Sequence, residues 1–326
     1  MNEIDQLMQR YEGNVPGASL LVIRDGRPVF RKSWGLADLD AKVAATPRTN
    51  YRLASVTKQF TATAILLLVQ DGKLKLDDRS RQWLPTLPSA TDQITIRQVL
   101  SHTSGLIDYE DVMAPGTTQQ VHDADVLRLL ETQDSTYSEP GTKYAYSNTG
   151  YSLLALIVER SSGSTFATFL RDRIFAPLGM TQTVAFENGI STVSDRAFGY
   201  TMRDSAWTLK DQSSTSAVLG DGGIYSSIDD MAKWDAALYD SRLLNDESRR
   251  LAFTPHTDTN AADVKYGFGW RITGETLWHS GETSGFRNVI IRYHARKLTV
   301  VVLTNRDNPE PYKTALAVAD IFLRDR

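Results

Sequence analysis

Residues 53–70 read L-A-S-V-T-K-Q-F-T-A-T-A-I-L-L-L-V-Q, and the rest of the chain is organised around this stretch. Phe60, Ala64, Leu67 and Leu68 recur at helical spacing, which predicts a helix packed inside the protein. A helix this apolar has no reason to begin with polar residues unless its N-terminus opens into water. Ser55 and Lys58 stand there, three residues apart, so both side chains fall on one face within one turn. The Lys58 ammonium then reaches the Ser55 hydroxyl. The helix start adds free backbone N–H groups and a positive partial charge. A hydroxyl becomes a nucleophile when a base adjoins it, and acyl transfer also needs donors for an oxyanion. The competing reading is a Ser that caps the helix and a solvated Lys; S-x-x-K arises by chance in many chains. The rest of the sequence has to supply partners.

Outward from this helix, strand signals lie at both ends of the chain. Residues 18–23 are apolar, Arg24-Asp25-Gly26-Arg27 carries a D-G turn, and the pattern resumes over 29–34, a hairpin signal. Residues 2–12 read as an amphipathic helix with Ile4, Leu7, Met8 and Tyr11 on one side. Helical signals dominate the middle: 123–130, 150–160, 166–175, and 231–238 capped by Ser227-Ile228-Asp229-Asp230. Between them stand the turn-rich S-H-T-S-G-L at 101–106, Pro140-Gly141 and the tight loop Asp221-Gly222-Gly223. Strands are expected again over 266–273, 277–280, 289–293 and 298–303, and a last helix over 312–323. The expected fold is α/β of the α+β type. One antiparallel sheet is built from both chain ends (1–75 and 256–326) and covered by terminal helices, a mainly helical region (76–255) is inserted, and the active site lies where the two meet.

Composition narrows the function classes. The 326 residues are 41% hydrophobic and 23% charged, with net charge −3, which gives no strong electrostatic draw towards nucleic acid or an anionic membrane. There is no Cys, so disulfides and thiolate metal sites are excluded. The five His are scattered without H-E-x-x-H, so neither a metal nor a cofactor is expected. No apolar run approaches a membrane span. The start, M-N-E-I-D-Q-L-M-Q-R-Y, has no signal core. The protein is cytoplasmic if Met1 is the native start, and periplasmic or secreted if a signal was removed. Oligomeric state is left open.

Candidate partners for Ser55 lie far along the chain. The elbow G-x-S-x-G is absent. In Tyr146-Ser147-Asn148 a phenol can pass protons, and an amide can hold Lys58 and a substrate carbonyl; a packed Tyr and a helix-capping Asn are the structural alternative. His279-Ser280-Gly281 ends a short strand, and Gly281 permits close backbone approach to a ligand. His102 is read as holding backbone rather than metal.

S-x-x-K at 55–58, Y-x-N at 146–148 and H-x-G at 279–281 together resemble the serine β-lactamase and penicillin-binding superfamily. A Tyr in the middle motif resembles most the branch of class C β-lactamases, D-alanyl-D-alanine carboxypeptidases and family VIII esterases. L-S-H-T-S-G-L at 100–106, E-P-G at 139–141, P-L-G-M at 177–180 and G-G-I-Y-S-S at 222–227 are similar to this branch too. The resemblance implies Ser55 as nucleophile, Lys58 and Tyr146 sharing the proton traffic, and Asn148 orienting Lys58 and substrate. It also implies His279 opposite them and an oxyanion hole from the backbone N–H groups of Ser55 and Glu282. Two features depart from the pattern. H-S-G stands where class C enzymes carry K-T-G, which removes a positive charge that a Tyr146 phenolate needs nearby. Lys58 is therefore read as the first proton acceptor and Tyr146 as relay. Glu282 stands where a small residue is usual. Arg287 is either a cation for a substrate carboxylate or a solvated residue on a strand face. The expected function is a serine hydrolase acting through an acyl-enzyme on a small-molecule ester or D-amino-acid peptide. A true β-lactamase is the alternative, and a non-catalytic penicilloyl-binding module the more distant one.

Overall fold

The computed structural model describes residues 3–324. Its centre is an eight-stranded antiparallel sheet in the order Thr257–Asp258, Lys265–Tyr266, Arg271–Thr273, Thr276–Thr283, Phe286–Tyr293, Leu298–Thr304, Ala18–Arg24, Arg27–Trp34. The two chain ends meet where Ala18–Arg24 pairs with Leu298–Thr304, Leu21 opposite Val301 and Leu20 opposite Val302. Strands buried on both faces are mostly apolar, which explains the run over 20–23; Ser19, buried too, bonds the Ser33 and Tyr51 hydroxyls.

The period-two alternation of side chains divides these strands between two cores. Leu20, Val22, Val289, Ile291, Val300 and Val302 face one side, with Ile4 and Met8 of the helix Glu3–Met8 and Val318 of the helix Tyr312–Arg324. Leu21, Ile23, Ile290, Val301 and Leu303 face the other, with Phe60, Leu67 and Trp234. The terminal helices thus cover one face, as the amphipathic patterns require. Of the first expected helix, Asn2 lies outside the described residues; after Met8 the chain tightens into a 3₁₀ turn, Gln9–Tyr11.

The central helix runs Lys58–Gln70 and is buried on every side from Lys58 to Leu68, so the one-sided stripe understated it. Ser55 belongs to a separate 3₁₀ turn, Ala54–Thr57, that leads into it. The helices Asp123–Leu130, Asn148–Ser162 and Ile228–Ala237 form where the periodicity placed them. The strand expected over 266–273 is instead two short strands joined by a turn. Gly269 in that turn has φ +77°, and a Cβ on it would stand 2.7 Å from the Lys58 carbonyl oxygen. The chain turns there because it is pressed against the start of the central helix. Among the described residues, no helix is long and apolar enough to cross a membrane.

Candidate active site

The site lies where the Thr276–Thr283 strand passes the 3₁₀ turn carrying Ser55. Ala54 holds φ +51°, a left-handed conformation that L side chains rarely adopt, immediately before Ser55. The sharp turn stops the Tyr51–Arg52 strand and starts the helical segment within two residues. Gly281 makes the close approach possible. A Cβ there would overlap the Leu53 carbonyl oxygen and stand 3.2 Å from the Ser55 nitrogen. Only a residue without a side chain lets the strand backbone lie against the backbone of Ser55.

Lys58 has no exposed surface. Its Nζ donates to Ser55 Oγ at 3.1 Å, to Asn148 Oδ1 at 2.8 Å and to the Asp221 carbonyl at 3.0 Å. All three partners are oxygens: a hydroxyl, which can also donate, an amide and a backbone carbonyl. The Tyr146 ring centroid lies 4.9 Å from Nζ, so Tyr146 stands beside Lys58 through its π-face. Arg271 lies 5.5 Å from the same ring. Asn148 begins the Asn148–Ser162 helix, capped by Ser147 Oγ.

His102 and His279 support this centre from beneath. The His102 Nδ1 accepts from Ser147 N at 3.1 Å, and its ring packs 4.4 Å from that of Tyr146. His279 is 1% exposed. Its Nδ1 donates to the Ser280 carbonyl at 2.6 Å, which leaves Nε2 to accept from the Tyr266 hydroxyl at 3.1 Å. Burial holds both imidazoles well below their ordinary pKa, with the Lys58 and Arg271 charges adding to it. The sequence expectation set His279 opposite Ser55 across the cleft; the structure places its ring under Tyr146, 6.3 Å centre to centre. Arg287 is bonded to its neighbours in the hairpin. It pairs with Glu282 at 3.7 Å and donates to the Phe286 carbonyl at 2.8 Å. Glu282 itself lines the cleft with Ser55 and Asn148.

Several residues around the cleft carried no signal in the sequence. Asp108 accepts from Asn148 N at 2.8 Å and from Glu110 N at 3.2 Å, which ties two helix starts together. Glu110 Oε1 accepts from Asn148 Nδ2 at 3.1 Å. Asp221 is buried, and its Oδ2 accepts from the Tyr109 hydroxyl at 3.2 Å. Burial pushes its carboxyl up to about 7; Lys58 opposes the shift, while Asp123 and Glu110 add to it. Asp123 accepts from Leu219 N at 2.9 Å and Gly220 N at 3.1 Å, fixing the turn that aims the Asp221 carbonyl at Lys58. The loop at 221–223 is legible from its glycines, but the burial of Asp221 is not. Short D-Y-E stretches are common on surfaces, so 108–110 offered nothing to distinguish it.

A family model described as Beta-lactamase matches residues 2–323. Penicillin-binding protein 4* of Bacillus subtilis (strain 168) is 32% identical over 320 residues, spanning 92% of this chain and 70% of that protein. Protein flp of Staphylococcus aureus (strain N315) is 28% identical over 320 residues, spanning 93% of this chain and 62% of its own length, so this chain matches less than two thirds of it. The crystal structure of the penicillin binding protein from Bacillus halodurans superposes with a TM-score of 0.86 at 28% identity, covering 98% of this chain and 99% of that one.

Proposed function

The chain belongs to the beta-lactamase family, and on that premise we propose that it is a serine hydrolase that cleaves a carboxylic ester or D-amino-acid peptide through an acyl-enzyme on Ser55. One observation carries the reading: the buried Lys58 Nζ bonds Ser55 Oγ, Asn148 Oδ1 and the Asp221 carbonyl at once. A nucleophile with a positioned amine, in a cleft, is what acyl transfer needs.

In the proposed reaction Lys58 acts as the neutral amine, its two N–H bonds kept on Asn148 Oδ1 and the Asp221 carbonyl, and its lone pair takes the Ser55 proton as Oγ attacks the acyl carbonyl. Tyr146 relays a proton to the departing alcohol or amine as the carbonyl–heteroatom bond breaks. The oxyanion is held by the backbone N–H groups of Ser55 and Glu282, which Gly281 allows to stand close. Water then attacks the ester carbonyl, gives its proton to the same base, and Ser55 leaves protonated. Asn148 keeps Lys58 and the substrate carbonyl in place.

The charge around the cleft favours a neutral ester. A β-lactam brings a carboxylate, and so does a peptide that ends in D-alanine. His279 is buried and neutral, Arg287 is engaged with Glu282, and the Arg52 guanidinium is 2% exposed and donates to the Ser216 carbonyl. Glu110, Asp221 and Glu282 line the cleft. Hydrolysis of a short-chain p-nitrophenyl ester, nitrocefin and a D-alanyl-D-alanine peptide, each by wild type and Ser55→Ala, tests the proposal. Intact-mass spectrometry with a fluorophosphonate should show one adduct on wild type and none on Ser55→Ala. An adduct that persists on the variant would end the assignment. Efficient nitrocefin turnover would favour the β-lactamase reading.

A further inference from the structure

Asn148 can serve Lys58 only in one of its two amide orientations. Lys58 donates, so Oδ1 has to face it; turned over, the amide would set Nδ2 against Nζ, donor against donor. Water on the far side of an amide accepts and donates with equal ease and fixes neither orientation. A carboxylate only accepts. The far side of Asn148 is occupied by Glu110, whose Oε1 takes the Nδ2 hydrogen at 3.1 Å. The same short helix, Tyr109–Val112, is locked to the start of the Asn148–Ser162 helix by two further bonds. Asp108 accepts from Asn148 N at 2.8 Å, and Tyr109 N donates to Thr149 Oγ1 at 2.7 Å. Glu110 is itself exposed at the cleft edge, so packing does not explain why it sits there.

We propose that Glu110 is a positioning residue that fixes the amide orientation of Asn148 and thereby holds Lys58 on Ser55. The proposal rests on the serine-hydrolase reading above. It assigns Glu110 no contact with the reacting atoms: it acts through Asn148.

The test compares Glu110→Ala and Glu110→Gln in the whole protein, using p-nitrophenyl ester turnover and the rate of fluorophosphonate labelling of Ser55. Gln can turn either its oxygen or its NH2 to Asn148, as water can, so it no longer selects one orientation; Ala leaves that side to water. Glu110→Ala should lower kcat and the labelling rate on the order of 10-fold, as loss of one charge-assisted hydrogen bond in a catalytic network does, with little change in KM. Glu110→Gln should recover little of that loss, since its amide both accepts and donates. Both variants should keep the wild-type thermal midpoint, since Glu110 is exposed. Asp111→Asn, on the same helix but bonded to the Tyr137 hydroxyl, is the control and should match wild type. Three results would overturn the proposal: wild-type kcat and labelling in Glu110→Ala, full recovery in Glu110→Gln, or a loss confined to KM. If wild type neither hydrolyses any substrate nor takes up label at Ser55, the hydrolase reading fails first and this inference falls with it.

Discussion

At the scale of single residues, the centre depends on Lys58 having acceptors in place of water. Its three partners come from three separate parts of the chain: Ser55, Asn148 and Asp221. Tyr146 adds a π-face and connects, ring to ring, with His102 and His279. Lys58 and Tyr146 are therefore expected to work as one unit. Lys58→Ala and Tyr146→Phe should each lower kcat on the order of 10²–10⁴, the usual worth of general acid–base catalysis. The double variant should lose little more than the worse single one. Additive losses in steady-state kinetics would mean that the two residues serve separate steps. Substitution of His279 by the Lys of the class C pattern is a different matter. It would bury an ammonium beside Arg271 and Lys58 and break the bonds to Tyr266 and Ser280.

At the scale of elements, the site is a contact between a strand and a helix start, and Gly281 sets the distance. Its neighbours across that contact are backbone atoms, Leu53 O and Ser55 N, which cannot rotate out of the way as a side chain can. A Cβ at 281 has to push the Thr276–Thr283 strand away from the Ala54–Thr57 turn. That strand is paired on both sides, with Arg271–Thr273 and Phe286–Tyr293, so the turn carrying Ser55 has to give. Gly281→Ala should therefore cost on the order of 100-fold in ester kcat, comparable to losing one oxyanion donor. Far-ultraviolet circular dichroism should stay native. A variant with wild-type kcat would show that the close approach is not needed. Two departures from the expected elements lie at the start of the central helix: Ser55 sits in a 3₁₀ turn rather than in the α-helix, and 266–273 breaks at Gly269, which is pressed against Lys58 and Gln59.

At the scale of the whole molecule, the buried carboxyl groups of the inserted region link stability to pH. Asp221 has its carboxyl pushed by burial from the ordinary 3.8 up to about 7, and Asp123 up to about 6. Between 3.8 and about 7 the folded protein keeps a proton on Asp221 that the unfolded chain has released, so this contribution to stability falls as pH rises through that window and then levels. His102 and His279, held neutral, act the other way: they weaken the fold as pH drops below their ordinary 6.5. Asp221→Asn removes only the first effect. Its thermal midpoint relative to wild type should be higher at pH 8 than at pH 4.5, by calorimetry or fluorescence; an equal offset at both would contradict the assignment. The sequence by itself determined the strand-rich ends, the helical middle and the three spaced motifs, because those are local. Alternation, helical periodicity, a D-G turn and a capping Ser act between residues a few positions apart. It also held two of the three partners of Lys58, Ser55 and Asn148, in motifs that resemble a known family, but not the third, the Asp221 carbonyl. Only the tertiary structure decided which groups lost their water. His279 is buried under Tyr146, and Asp221 is enclosed beside Lys58. Each depends on segments tens to hundreds of residues apart excluding solvent together, and desolvation leaves no trace in local sequence pattern.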